Sequence, residues 1–154
     1  MTKLSDHFTL EEFTKSQTAI RRGIDNQPSA TQSDRLKLLC EKVLEPVRVH
    51  YDKPVRISSG FRSESLNWAI GGSQTSQHSK GEAADFEIKG VSNQDVAEWI
   101  RDNLEFDQLI LEGAKPDDPN AGWIHVSYSK SRARQMAMTA TFIGGRAKYS
   151  NGLA

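Results

Sequence analysis

Leu36, Leu39, Cys40, Val43, Leu44 and Val47 recur at intervals of three and four residues. That period places them on one stripe of a long helix starting near Thr31, with the stripe turned to a core. Pro46 is expected to bend or weaken its last turn. Upstream, Thr9-Leu-Glu-Glu12 has capping-box spacing and predicts a short helix through Phe13 to about Lys15. The polar stretch from Ser16 to Ser29 reads as a loop. Residues 55–58 alternate apolar and polar, a strand signal broken by Gly60. Ser63 can cap a helix through Leu66, Ala69 and Ile70 that Gly71-Gly72 ends. Residues 84–88 form a second strand candidate, and Ser92 caps another helix with Val96, Trp99, Ile100 and Leu104 on its buried side.

Residues 107–112 and 123–128 are strand candidates joined by a loop rich in Gly, Pro and Asp, which predicts an antiparallel hairpin. Residues 134–141 are expected to add an edge strand. Beyond Gly144-Gly145 little is left to bury, so 144–154 is expected to be a loosely held tail after a single domain of residues 1–143. Helices flanking a mainly antiparallel sheet make an α+β domain.

Composition narrows the function. A chain of 154 residues can bury a core without disulfides or a structural metal, so a metal here would serve chemistry. Lys plus Arg equals Asp plus Glu at 20 each, which supplies no overall field to draw nucleic acid or anionic lipid. The single cysteine, Cys40, excludes an internal disulfide and lies on the apolar helical stripe, where it reads as a packing residue. There is neither an apolar run long enough to span a bilayer nor a signal-peptide core, so the expectation is a soluble chain made in the cytoplasm.

The chemistry centres on residues 76–85, S-Q-H-S-K-G-E-A-A-D, read with W-I-H-V-S at 123–127. His78, Asp85 and His125 make a three-ligand set with room for water, the arrangement a catalytic zinc uses. If the hairpin pairs Glu112 with Trp123 and Ile110 with His125, period-two alternation puts Glu112 on the face of His125 as a diagonal neighbour, about 7 to 8 Å away. A slip of one residue would turn it to the opposite face. In that register Glu112 is placed as a general base for water activated by the metal. Arg62, after a strand and a glycine turn, can aim a fork of donors at a substrate carboxylate. Ser76 can hold either the substrate or the ligand loop.

Each residue alone has an ordinary reading: a packed histidine, a half-buried strand aspartate, an ion-paired arginine, a strand-end charge. Their joint order carries the argument. His7 and His50 lack matching partners and read as surface residues, and Lys130, Arg132 and Arg134 read as a solvated strand face. Gly71-Gly72 lacks the lysine and the strand-to-helix context of a phosphate loop. A non-haem iron oxygenase also uses two histidines and a carboxylate, but its first histidine and acid usually stand two apart, against seven here.

S-G-F-R-S at 59–63, the pattern S-x-H-x-x-G-x-A-x-D and W-I-H-V-S together resemble the zinc D-Ala-D-Ala carboxypeptidase superfamily, which includes vancomycin-resistance dipeptidases and phage endolysin peptidases. H-F-T-L-E-E-F and I-D-N-Q-P extend the resemblance over about residues 8–141. It implies a hedgehog/DD-peptidase-like fold, one zinc per chain on His78, Asp85 and His125, and substrate held by Arg62. In many relatives the catalytic acid stands three positions before the last histidine, which here is Gly122. In the branch this chain most resembles, a glutamate ends the preceding strand, as Glu112 does, with Asp117 and Asp118 as substitutes. The implied substrate is the peptidoglycan stem peptide, cut at D-Ala-D-Ala, at D-Ala to diaminopimelate, or at L-Ala-D-Glu. The implied setting is a monomeric phage endolysin waiting in the host cytoplasm, with no stable membrane association and no nucleic-acid partner. A virion-associated enzyme and a wall-binding module without catalysis are the other readings.

Overall fold

The apolar stripe is fully buried, and it lies on one continuous helical run rather than a single regular helix. The computed structural model describes residues 2–115 and 117–153. In it β1 (Lys3–Ser5) and β2 (Phe8–Thr9) pair as a small ribbon, followed by α1 (Leu10–Thr14) and α2 (Gln17–Arg22). Then come α3 (Ala30–Leu39), a π-helical turn (Cys40–Leu44) and α4 (Glu45–Tyr51). Pro46 sits in the first turn of α4, and just before it the Glu45 N–H reaches back five residues to the Cys40 carbonyl. A widened turn relieves the clash between a proline ring and the carbonyl four residues earlier. The expected weakness at Pro46 therefore takes the form of a bulge, and the helix continues to Tyr51. Cys40 is buried inside this run; burial, helped by the charge of Glu45, pushes its thiol up and keeps it protonated.

The capping box at Thr9 is present with both of its bonds. The region expected to be a loop after Ser16 instead holds α2. There Ser16 Oγ accepts from the Ala19 N–H at 3.1 Å, and Gly23 ends the helix in the left-handed region. Only Ala19 of α2 is buried, so the helix carries no apolar stripe that a sequence pattern could register.

Six strands form the main sheet in the order β3-β4-β6-β5-β7-β8. They are β3 (Arg56–Ser59), β4 (Ala83–Glu87), β5 (Gln108–Glu112), β6 (Trp123–Ser127), β7 (Met136–Ile143) and β8 (Arg146–Asn151). Two more helices complete the fold, α5 (Glu64–Ala69) after β3 and α6 (Asn93–Asn103) after β4. All neighbouring strands are antiparallel except β5 and β7, which run parallel. The α+β class stands, with two corrections at the C-terminal side. The strand expected at the edge, β7, lies inside the sheet. The chain does not trail loosely past Gly144-Gly145 but turns back as β8, pairing from Ile143↔Arg146 to Met138↔Asn151. All six residues of β8 are exposed, so it is held by main-chain bonds and not by burial; the Thr139 hydroxyl adds a 2.7 Å bond to the Gly152 carbonyl.

Period-two alternation gives the sheet two unlike faces. Ala84, Phe86, Leu109, Ile124 and Val126 join the helical stripe and Val96, Ala97 and Ile100 of α6 in one buried cluster. The intervening residues, Asp85, His125, Ile110 and Glu112, point to the other face. No helix among the described residues is long and apolar enough to cross a membrane.

Candidate metal centre

Two of the three expected ligands are delivered by strand pairing alone. Asp85 on β4 and His125 on β6 are direct cross-strand partners, so their side chains leave the sheet side by side. The third arrives on a 3-10 turn (Gln77–Lys80) ahead of β4. Ser76 caps this turn, its hydroxyl accepting from the His78 N–H at 3.3 Å. The Arg62 N–H donates to the His78 carbonyl at 3.2 Å, and Gln32 Nε2 of α3 donates to the Ser79 carbonyl at 3.1 Å. A buried carboxylate secures the residue before His78: Gln77 Nε2 donates to Asp107 at 2.8 Å, and Asp107 also takes two bonds from the Arg134 guanidinium, at 2.7 and 2.9 Å, and one from its backbone N–H at 3.3 Å. Arg134 is thus partnered, where a solvated cluster with Lys130 and Arg132 was expected.

His78 Nδ1 lies 2.7 Å from the Gly60 carbonyl oxygen. A carbonyl only accepts, so Nδ1 carries the proton and Nε2 is left with its lone pair, the state a metal ligand needs. Gly60 itself is required by a close approach: a Cβ there would stand 2.7 Å from the Phe13 backbone and ring. Nε2 of His78 is 3.4 Å from Asp85 Oδ1, and Nδ1 of His125 is 2.9 Å from the same oxygen. All three ligand atoms lie within 4.8 Å of one another. Tetrahedral zinc with bonds of about 2.0–2.2 Å sets its donors roughly 3.3 Å apart. The first separation already fits, and the second needs an opening of a few tenths of an ångström. Burial alone would raise the Asp85 carboxyl, but the bonds from His125 and His78 and their charge outweigh it and hold it well below the usual carboxylate range. Two nitrogen donors and one charged oxygen on a mostly buried floor suit a zinc-type cation.

Arg62 Nη2 stands 3.8 Å from Asp85 Oδ2, and its Nε donates to Ser59 Oγ at 3.3 Å. The guanidinium is therefore fixed beside the ligand carboxylate. The β5–β6 register is the one on which the placing of Glu112 depended, with Ile110 opposite His125 and Glu112 opposite Trp123. Glu112 opens onto the same cavity, about 340 Å³, as Arg62, Ser76, His78, Asp85 and His125. Burial first, and the charge of Asp85 after it, raise the Glu112 carboxyl above its ordinary value against the pull of the two histidines.

Asp117 and Asp118 are not brought to this group. They line a separate cavity with Leu111 and Thr139, and Leu111 alternates with Glu112 to the opposite face of β5. Gly122, three residues before His125, can carry no acid: its φ is +73°, and a Cβ there would fall 1.7 Å from the Glu112 carbonyl oxygen. The carboxylate facing the ligands comes from β5 because β6 at this point has no room for a side chain. His7 and His50 lie on the surface away from the site, the first bonded to Glu45 at 2.7 Å and the second stacked on Trp99.

Sequence reasoning missed Gln108, Thr75 and Tyr149, which also line the cavity. Gln108 was findable, since it stands two and four residues before Ile110 and Glu112 on one strand. Tyr149 was not, because it lies on the strand that carries no burial signal.

A family model described as Peptidase M15 matches residues 6–127. A comparison with curated proteins finds no match.

Proposed function

Since the chain belongs to the Peptidase M15 family, we propose that it is a zinc peptidase of bacterial peptidoglycan, cutting a peptide bond of the stem or crosslink. The observation that carries this reading is the convergence of His78, Asp85 and His125 on one point beside Glu112 in a single cavity. A zinc ion there would bring the pKa of water towards neutrality and polarise a carbonyl oxygen. Glu112, whose carboxyl is raised by burial, takes the proton of the attacking water and hands it to the leaving amine. Arg62, anchored by Ser59 and Asp85, presents its remaining donors to a carboxylate of the stem. Ser76 steadies the ligand loop, its hydroxyl oxygen accepting from the His78 N–H, and its O–H remains to meet substrate.

The biological setting we favour is a phage endolysin that waits in the host cytoplasm and acts on the wall at lysis as a monomer. Mass spectrometry of fragments released from defined peptidoglycan, with and without a chelator, tests the reading. Chelator-sensitive release of new amines is expected, and the fragment masses tell D,D-cleavage from L-alanyl-D-glutamate cleavage. Wall binding without any release would leave a binding module and end the peptidase reading.

A further inference from the structure

β7 and β8 lie beyond the residues the family model matches, yet they build one wall of the cavity. The registers align Trp123, Glu112, Ala140 and Tyr149 in a single row across β6, β5, β7 and β8. All four therefore face the side of the sheet that carries the ligands. Ala140, between Glu112 and Tyr149, is a buried methyl. Strands lie about 4.8 Å apart, so Glu112 and Tyr149 are separated by roughly 10 Å of backbone, and only a methyl fills the gap between their side chains. Tyr149 accordingly lines the cavity with Glu112, His78, Asp85 and His125. The hairpin is fastened to the far side of the row by Phe142, which stacks on Trp123 with ring centres 6.0 Å apart.

Several other donors in the cavity are committed. His78 Nδ1–H is bound to the Gly60 carbonyl, Arg62 Nε to Ser59, and Gln77 Nε2 to Asp107. The Arg62 terminal nitrogens and the Ser76 O–H belong to the β3–β4 connection, on the opposite side of the ligands from the hairpin, and the Gln108 amide to the far end of β5 from Glu112. Asp85 and Glu112, when ionised, only accept. The Tyr149 ring is about half exposed at 53%, and its hydroxyl makes no hydrogen bond to the described residues. Burial, with the charge of Glu112, keeps the phenol protonated well past neutrality.

The geometry points to Tyr149 as a catalytic residue that contacts substrate, its phenol O–H donating a hydrogen bond to the scissile carbonyl oxygen as that oxygen gains negative charge. This role rests on the peptidase reading above. A donor aimed at a developing oxyanion acts mainly on the chemical step.

The test compares wild type, Tyr149→Phe and Tyr149→Ala as zinc-loaded full chains on crosslinked peptidoglycan fragments. Loss of one such donor costs about 10²-fold or more in a closed site, and in this half-open one a fall of about 10- to 100-fold in kcat is expected for Tyr149→Phe. KM, zinc content and melting temperature should stay near wild type. Binding of acetohydroxamate to the zinc-loaded chain, measured by calorimetry, supplies a second readout because a metal-bound hydroxamate would present its carbonyl oxygen beside the ligands; a weakening of at least about fivefold is expected. Tyr149→Phe with kcat within twofold of wild type, or with a change confined to KM, would overturn the role. Should wild type itself release no amines, the peptidase reading fails, and unchanged hydroxamate affinity in Tyr149→Phe would sink the hydroxyl's role independently.

Discussion

Replacing Gly122 with alanine tests whether the end of the β5–β6 hairpin fixes the position of Glu112. The added Cβ would lie 1.7 Å from the Glu112 carbonyl oxygen, 2.8 Å from its carbonyl carbon and 2.9 Å from the Gly113 carbonyl carbon, where ordinary contact begins near 3.4 Å. All three neighbours are main chain, so no side chain can rotate out of the way. The left-handed backbone at φ +73° adds about 1–2 kcal/mol for an L-residue. Overpacking of this kind costs about 1–3 kcal/mol. Together they destabilise by roughly 3 kcal/mol, which in a chain of this size lowers the melting temperature by about 6–12 °C.

Relief of the clash must move the Glu112 backbone by an ångström or more, and a displacement of that size costs on the order of 10²-fold in turnover. His125, paired on both sides with β4 and β5, should keep its place and its zinc. Thermal melts, elemental analysis and chelator-sensitive peptide release measure the three quantities separately. A Gly122→Ala protein that melts within 2 °C of wild type and turns over within threefold of it would refute the steric argument, both thresholds being approximate on the scales just used. For the same reason Gly122→Asp should not restore activity to a Glu112→Ala background, although it returns an acid to the position many relatives use.

Glu112→Gln is expected to lower kcat by about 10²-fold or more while zinc content and melting temperature hold, since it keeps the shape and removes the proposed base; near-normal turnover would reassign that role. His78→Ala should lose stoichiometric zinc on dialysis, read by elemental analysis, and equal zinc in variant and wild type would break the ligand assignment. Asp107→Asn should destabilise by about 2 kcal/mol at neutral pH, the worth of hydrogen bonds to a charged group. The Arg134 bonds, followed by that from Gln77, depress the folded-state Asp107 carboxyl. Its contribution is therefore full above the unfolded value of about 4 and is lost as pH falls through the folded one. Urea melts at neutral and acid pH should show the gap between variant and wild type closing on acidification, and a constant gap would count against the ion pair.

The site was legible where chemistry and periodicity coincide. His78 and Asp85 share one short motif, and alternation along residues 108–112 and 123–127 left one register, the one the structure has, in which Glu112 shares a face with His125. The missing pieces lacked such signals. α2 buries Ala19 alone, and β8 buries nothing, so neither alters the hydropathy pattern. The ribbon of β1 and β2, three and two residues long, is shorter than the period that would reveal it. That β7 runs parallel to β5 is a choice of partner, which a strand's own residues do not encode. Asp107 and Arg134 stand 27 residues apart, and only the folded chain shows that one charge answers the other.

The proton on His78 is held by a main-chain carbonyl, that of Gly60, and this has a bearing on how such a site can vary. No side chain exists there whose replacement would release the ring, and any addition at that point collides with Phe13. Mutational drift can thus remodel the surrounding walls without altering which His78 nitrogen is left free to face a metal.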